Sequence, residues 1–407
     1  MVNAPFRPPQ PDDGTLDRLN VSVLAAAVGG LKHRLRICVL GSARSPHVNM
    51  RAQAFIDRGH AVTVISPRPP SEEEHGRFGF DVLYPSPAMI SGLFGKIRLL
   101  AWTAAALLRT RADIYHAHYA AEVGSWLAWL LWRRPLAVTV MGGDVLFNEQ
   151  GTLGRLGRWL TRRTVAGANY VTVKSPFLAR VVTGFGVAAD RIETVVWGID
   201  TSVFRDSGNG RAAVRKSWNV GPDQLLVFSP RMLQPFYNID LIVEAWPEVL
   251  AAHPRAVLAL SRFRADPDYE STIRRRISEL GVEEAVVFVP PMARDEMAAA
   301  YIAADVVVSV APSDGLPQAV LEAMACSRPV VLTDLDRFHE LFEPDVDVLY
   351  TPLRRADLAR AISVILAAPE DAARRAERAR AKVLRLAEFR ENVDRVEARF
   401  LALAGAA

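Results

Sequence analysis

Asp314 and Glu322 stand with seven residues between them in APSDGLPQAVLEAMACSRPVV, directly after the apolar run DVVVSV. Pro317 suits the first turn of a helix, because the N–H it lacks would have had no partner there. Ser313 or Asp314 can cap that turn, and the spacing predicts a helix from about Pro317 through Cys326. The amides between Gly315 and Gln318, with Leu316 among them, then lie at a helix start. Unpaired N–H groups and the positive end of the helix dipole favour an anion at such a place, and a diphosphate is the natural guest. Asp314, ahead of the helix, can accept hydrogen bonds from sugar hydroxyls. Glu322, about one and a half turns further on, can accept two hydroxyls of a ribose, since a carboxylate offers about four acceptor sites.

Such a loop needs a strand before it and a sheet around it. Short runs rich in Val and Ile recur from residue 35: LRICVL (35–40), HAVTVI (60–65), DIYHAH (113–118), LAVTV (136–140), NYVTV (169–173) and RIETVVW (191–197). Near-continuous apolar runs of this length suit strands buried on both faces. Segments of helical spacing separate them, such as MRAQAFIDRG and SWLAWLLWRR. After the polar break DSGNGRAAVRKSW a second set follows: LLVFS (225–229), AVLAL (256–260), AVVFV (285–289), DVVVSV (305–310), RPVVLT (328–333) and DVLYT (347–351). Two successive sets of strands alternating with helices predict an α/β protein of two doubly wound, Rossmann-like domains. Ligands of such sheets bind beyond the carboxyl ends of the strands, so two facing domains create a cleft.

Bulk properties agree and narrow the function. A chain of 407 residues exceeds one ordinary core. Its 49 Lys and Arg are nearly matched by 45 Asp and Glu, which argues against a nucleic-acid-binding stripe. Cys38 and Cys326 sit in apolar contexts and read as core residues, and no spacing resembles a zinc site. No stretch reaches about 18 uncharged apolar residues. The first 34 residues, rich in Pro and acids, read as a flexible leader and not as a secretory signal. The expected location is the cytoplasm.

SDGLPQAVLEAMACSRPVV resembles the donor-site signature of family 4 of the retaining glycosyltransferases, which have the GT-B architecture. That family usually has Glu at both acidic positions, and Asp314 replaces the first. SPRMLQPFYNIDLIVEAW (229–246) resembles the segment after the first strand of the family's second domain, and the likeness implies that Arg231 binds the donor diphosphate. Many members carry a phosphate-binding Lys where Tyr237 or Asn238 stands here; Arg262 or Arg264 could supply that charge. TVVWGIDTSVF (194–204) resembles the interdomain link, where Gly198 allows an unusual backbone angle and Trp197 and Phe204 pack a hinge.

The first domain carries the likeness further. LRICVLGSARSPHVNMRAQAFIDRGHAVTVISP resembles the family's opening strand, loop and helix, although the loop holds only Gly41 where many relatives have a glycine pair. Arg44 and His47 would line the acceptor side. In VTVMGGDVL (138–146) Met141 stands where many relatives have His, and Asp144 is kept. Asp144 and His118 would position sugar or acceptor, with Arg231 stabilising the leaving diphosphate. The donor-binding set implied is Arg231, Asp314, Gly315, Leu316, Pro317, Gln318 and Glu322, with Arg262. The domains implied are 35–202 on the acceptor side, completed by a helix over 385–407, and 203–384 for the donor.

The resemblance implies a hexosyltransferase that retains anomeric configuration. It needs no cofactor and no metal, and moves sugar from a nucleotide-sugar to a glycan, lipid-linked or small-molecule acceptor. A GT-B nucleotide-sugar epimerase and a non-catalytic nucleotide-sugar-binding protein are the competing readings. A periplasmic-type binder lacks the secretion signal it would need. Residues 92–111 and 127–134 mix Leu and Trp with flanking Arg; such helices either sit in a core with charged ends or rest on an anionic membrane. The second case would put the protein at the inner face of the cell membrane as a peripheral partner.

Overall fold

The structure is a computed structural model that describes residues 34–70, 78–92, 94–147, 153–208 and 210–405. The leader expected over residues 1–34 lies, except for Arg34, outside the described residues.

The first sheet has seven parallel strands: β1 Arg36–Leu40, β2 Ala61–Ile65, β3 Asp81–Leu83, β4 Ile114–His118, β5 Leu136–Thr139, β6 Tyr170–Val173 and β7 Ile192–Thr194. Their order is β3-β2-β1-β4-β5-β6-β7. Val39 lies beside Val64 on one side and His116 on the other. The strand pattern in the sequence missed β3. It has three residues, none fully buried, at the edge of the sheet, so it never needed a continuous apolar run. The second sheet holds β8 Leu225–Ser229, β9 Ala256–Ser261, β10 Val286–Val289, β11 Val306–Ser309, β12 Val330–Thr333 and β13 Leu349–Thr351, in the order β10-β9-β8-β11-β12-β13. Both orders reverse direction between the first and fourth strands of their sheet, and that switch opens the crevice where a ligand sits.

Each sheet is covered on both faces, so each domain has two apolar layers. Cys38 and Cys326 are buried within these layers as free thiols. One layer of the first domain is completed from far along the chain. Helix Phe389–Gly405 packs Phe400 on Phe55 of helix Pro46–Asp57, with ring centroids 5.4 Å apart, and sets it edge-on to His116 at 5.3 Å. Asn392 fixes the helix by donating to the Val196 carbonyl at 2.9 Å.

The chain therefore crosses between domains twice, and the crossings touch. The Ile199 amide donates to the Ala387 carbonyl at 2.8 Å, and the Phe389 amide to the Ile199 carbonyl at 3.1 Å. A Cβ on Gly198 would lie 1.5 Å from the Ala387 oxygen. Gly198 is thus required by close backbone approach. The unusual angle expected of it is absent, since its φ is not among the positive ones.

Candidate active site

The second domain supplies its half of the site from the ends of β8 and β11. Arg231 follows β8, and its guanidinium lies over the Tyr237 ring at 4.5 Å. Its Nη2 donates to Asp314 Oδ2 at 2.8 Å, and both side chains are largely shielded from solvent. Asn238 adopts a left-handed φ of 51° and donates to the Val310 carbonyl at 2.9 Å, tying the β8 loop to the end of β11. The helix begins at Gln318 rather than Pro317 and runs to Ala325; Pro317 is its cap residue, and no side chain caps it. Asp314 is instead held by Arg231. The amides of Gly315, Leu316, Gln318 and Ala319 donate to no protein acceptor among the described residues. Glu322 accepts from the hydroxyl of buried Tyr301 at 3.1 Å. Burial pushes the Glu322 carboxyl up to about 7, against the pull of Tyr301 and Arg294.

The first domain faces this with β1, β4, β5 and β6. Gly41 lets the end of β1 pass close to helix Pro46–Asp57: a Cβ there would meet Val48 at 2.9 Å and His118 at 3.4 Å. His118, the last residue of β4, is buried and accepts at Nε2 from Arg51 Nη1 at 2.5 Å. A guanidinium only donates, so the ring carries its proton on Nδ1. Burial and Arg51 hold His118 neutral, far below the usual histidine range. Arg51 itself is 1% exposed, stacks 4.0 Å from the centre of the Trp197 ring and has Met141 Sδ at 3.9 Å. Burial alone lowers its pKa. Lys174, directly after β6, is also buried. Burial, with Arg51 next in weight, lowers its ammonium to about 8, while Asp314 and Asp144 act the other way. Neither Arg51 nor Lys174 has a carboxylate within salt-bridge distance among the described residues. Buried charges are normally paired; Arg51 has His118 and the Trp197 ring in place of a carboxylate.

The two halves meet backbone to backbone. Gly142, at φ 117°, would place a Cβ 2.9 Å from Gly315 Cα, and a Cβ on Gly315 would lie 2.7 Å from the Met141 oxygen. Gln318 donates to the Gly198 carbonyl at 2.9 Å, Arg264 to the Arg44 carbonyl at 3.2 Å, and Arg337 lies over the Phe177 ring at 4.6 Å. Residues 210–382 match the family model of the glycosyl transferases group 1, and residues 45–203 that of glycosyltransferase family 4. The chain belongs to the group 1 glycosyltransferases of GT-B architecture. A D-inositol 3-phosphate glycosyltransferase of Acidothermus cellulolyticus is 32% identical over 256 residues, 58% of this chain and 56% of that protein. The chain thus spans little more than half the length of that relative. One of the same name from Geodermatophilus obscurus is 29% identical over 78% of this chain and 76% of its own. Among solved structures, HepE of Anabaena in complex with UDP and glucose superposes with a TM-score of 0.76 at 19% identity, over 91% of this chain and all of that one. Sucrose-phosphate synthase of Thermosynechococcus elongatus gives 0.77 at 19% identity, over 92% of this chain and all of that one. These two likenesses concern the fold.

Within this glycosyltransferase fold the expected residues divide. Arg231, Asp314, Gly315, Leu316, Pro317, Gln318 and Glu322 gather on the second-domain side, and His118 stands opposite. Asp144 is fully buried under its loop. Oδ1 accepts from the Met141 and Gly142 amides at 3.0 and 2.9 Å, and Oδ2 from the Ala120 amide at 2.8 Å. Three backbone donors occupy it, so it clamps the loops after β4 and β5 and presents no free oxygen to a sugar. Arg262 points away to Glu270 at 3.1 Å on helix Pro267–Glu279, and Arg264 is the one that crosses the cleft. Arg44 is exposed and donates to the Pro69 carbonyl at 2.9 Å. His47 sits half-buried among cations; burial, then Lys174, Arg51, Arg264 and Arg294, lower it to about 3. Sequence reasoning missed Arg51, Lys174 and Tyr301. A Lys at the end of the apolar strand run NYVTV was the one signal available.

Proposed function

We propose that this chain transfers a sugar from a nucleoside-diphosphate sugar to an acceptor held by the first domain, with retention of anomeric configuration and without a metal ion. The observation that carries the reading is Lys174. It is a buried cation directly after β6 with no carboxylate within salt-bridge distance among the described residues, and Asp314 and Arg231 of the other domain contribute to the electrostatics around it. A diphosphate placed between them meets Arg231, Lys174 and the unpaired amides at the start of helix Gln318–Ala325. When phosphate takes over Arg231, Asp314 is released to accept sugar hydroxyls. Glu322, backed by Tyr301, accepts the ribose hydroxyls.

Departure of the diphosphate then builds negative charge against donors already in place, often the largest catalytic term. Fixed cations here fill the role a divalent ion plays elsewhere. Lys174 supplies the charge that relatives with Lys near position 238 draw from their own second domain. Neutral His118, at the end of β4 and held by Arg51 at Nε2, stands on the first-domain wall where sugar or acceptor would lie. The sugar gains oxocarbenium character while the acceptor attacks on the face the diphosphate leaves, so no protein nucleophile is required.

The test is a thermal-shift and calorimetry screen of nucleoside diphosphates, beginning with UDP because HepE was crystallised with it. A cognate nucleotide at 100 times its Kd should add about 2.7 kcal/mol of stability, and Glu322→Ala should abolish the shift. Donor consumption that requires an acceptor and yields the retained anomer agrees with the proposal. An inverted product, or epimerised donor formed without an acceptor, overturns it.

A further inference from the structure

Outside the cleft, one flank of the first domain is unlike the rest of the surface. Helix Gly95–Arg109 packs on helix Val123–Leu130, which packs in turn on helix Arg155–Ala166. Trp126 donates to Thr161 at 3.0 Å across the second junction, and Trp129 meets Trp159 edge-on at 6.0 Å. Residues 94–111, 123–134 and 153–166 hold ten Lys and Arg and no Asp or Glu, in a chain whose charges otherwise nearly balance. None of these ten cations forms a salt bridge among the described residues.

The same flank is apolar where it meets solvent. Twelve large hydrophobic side chains are exposed among the described residues, and eight of them lie in these segments. Ile97 and Leu108 fall on one stripe of the first helix, Trp132 is 73% exposed, and Leu156 and Trp159 extend the patch. Arg134 lies over the Trp132 ring at 4.6 Å and Arg163 over Trp159 at 5.8 Å, so cation and ring are presented together. Exposed apolar area of this kind marks an interaction surface.

We infer that this three-helix flank docks the protein on an anionic lipid surface. The charge selects the occupant. A second copy would bring ten cations against ten, whereas a bilayer accepts Trp and Leu at its headgroup boundary and rewards each nearby cation by about 1 kcal/mol. No described helix is long and apolar enough to cross a membrane, so the contact is peripheral. Helix Val123–Leu130 starts five residues after His118, which sets the lipid-facing flank beside the first-domain wall of the cleft.

The test is flotation of the full chain with vesicles of phosphatidylcholine alone and of an equal mixture with phosphatidylglycerol. Binding to the mixed vesicles only, weakened by salt, is expected. The triple change Lys96→Glu, Arg98→Glu and Arg155→Glu, all at exposed positions, should reduce it by more than a hundredfold, at about fivefold per removed cation. A matched reversal at Arg378, Arg385 and Arg390 should leave it nearly intact. Trp132→Ser with Trp159→Ser should weaken binding at unchanged net charge. Lack of binding to the mixed vesicles, equal loss in both reversal variants, or self-association through this face in place of lipid binding each overturns the inference. The exposed reversals decide it even if the Trp variant fails to fold.

Discussion

Replacing Lys174 by Met removes a buried charge while keeping a chain of similar length. In the folded protein the ammonium titrates near 8 instead of 10.5. At about 1.36 kcal/mol per pKa unit this corresponds to about 3 kcal/mol of differential interaction. The unfolded chain keeps its proton up to about 10.5, so between about pH 8 and 10.5 it binds more protons than the folded one. Stability of the parent therefore rises with pH across that window, and the full cost of the buried charge is felt below about 8. Lys174→Met should be more stable than the parent near pH 7, by up to about 3 kcal/mol, and the two should converge near pH 10. Urea unfolding at both pH values measures this. Calorimetry with UDP should show the opposite sign: loss of a charge-assisted hydrogen bond costs about 1.5–3 kcal/mol of binding. In the parent, binding near pH 8 should take up protons as the phosphate restores the ammonium, and the variant should not. A variant that is less stable near pH 7 and binds UDP as well as the parent would refute the reasoning, because Lys174 would then be structural.

Other substitutions probe the frame. Gly315→Ala places a methyl 2.7 Å from the Met141 oxygen; transfer should fall by about a hundredfold through misplacement of the two halves, with the unfolding midpoint unchanged, and small-angle scattering should report a more open molecule. Gly198→Ala drives a methyl into the Ala387 carbonyl and breaks the paired crossings, for a loss of about 3 kcal/mol in urea unfolding. Asp144→Ala leaves two buried amides and one partly buried amide without an acceptor and should cost about 3 kcal/mol; a variant of parental stability would show that the clamp is dispensable.

Much of this was legible in the sequence, for a physical reason. Strands in the sheet interiors must be apolar throughout, so they announce themselves; of the three-residue edge strands, β7 and β13 were found through the apolar residues around them and β3 was not. The Asp314-to-Glu322 stretch was readable because loop, helix start and second acid are neighbours in sequence. What escaped depends on partners far along the chain. Arg51 lies in MRAQAFIDRG, where its spacing looks like a solvated helix face, and only Trp197 and His118 make it a buried cation. Lys174 reads as a loop lysine until its burial, with no carboxylate in salt-bridge distance among the described residues, is seen in three dimensions. The sequence offered Arg262 or Arg264 and placed Arg262 in the donor-binding set; Glu270, on the next helix, claims it instead. Asp144 was expected to face substrate because its loop does, yet three amides turn its carboxylate inward.

The layer completed by Phe389–Gly405 has a consequence for biosynthesis. Phe55, Tyr170 and His116 lack their facing ring until Phe400 has been made. The donor-side domain, continuous along the chain between the two crossings, can close its core earlier. Vectorial synthesis ordinarily lets the amino-terminal unit fold first; here that order is inverted, and the half translated first is the last to be finished. A chain ending at residue 388 and released from the ribosome should therefore hold one mature lobe and one whose layer lacks Val393, Val396 and Phe400.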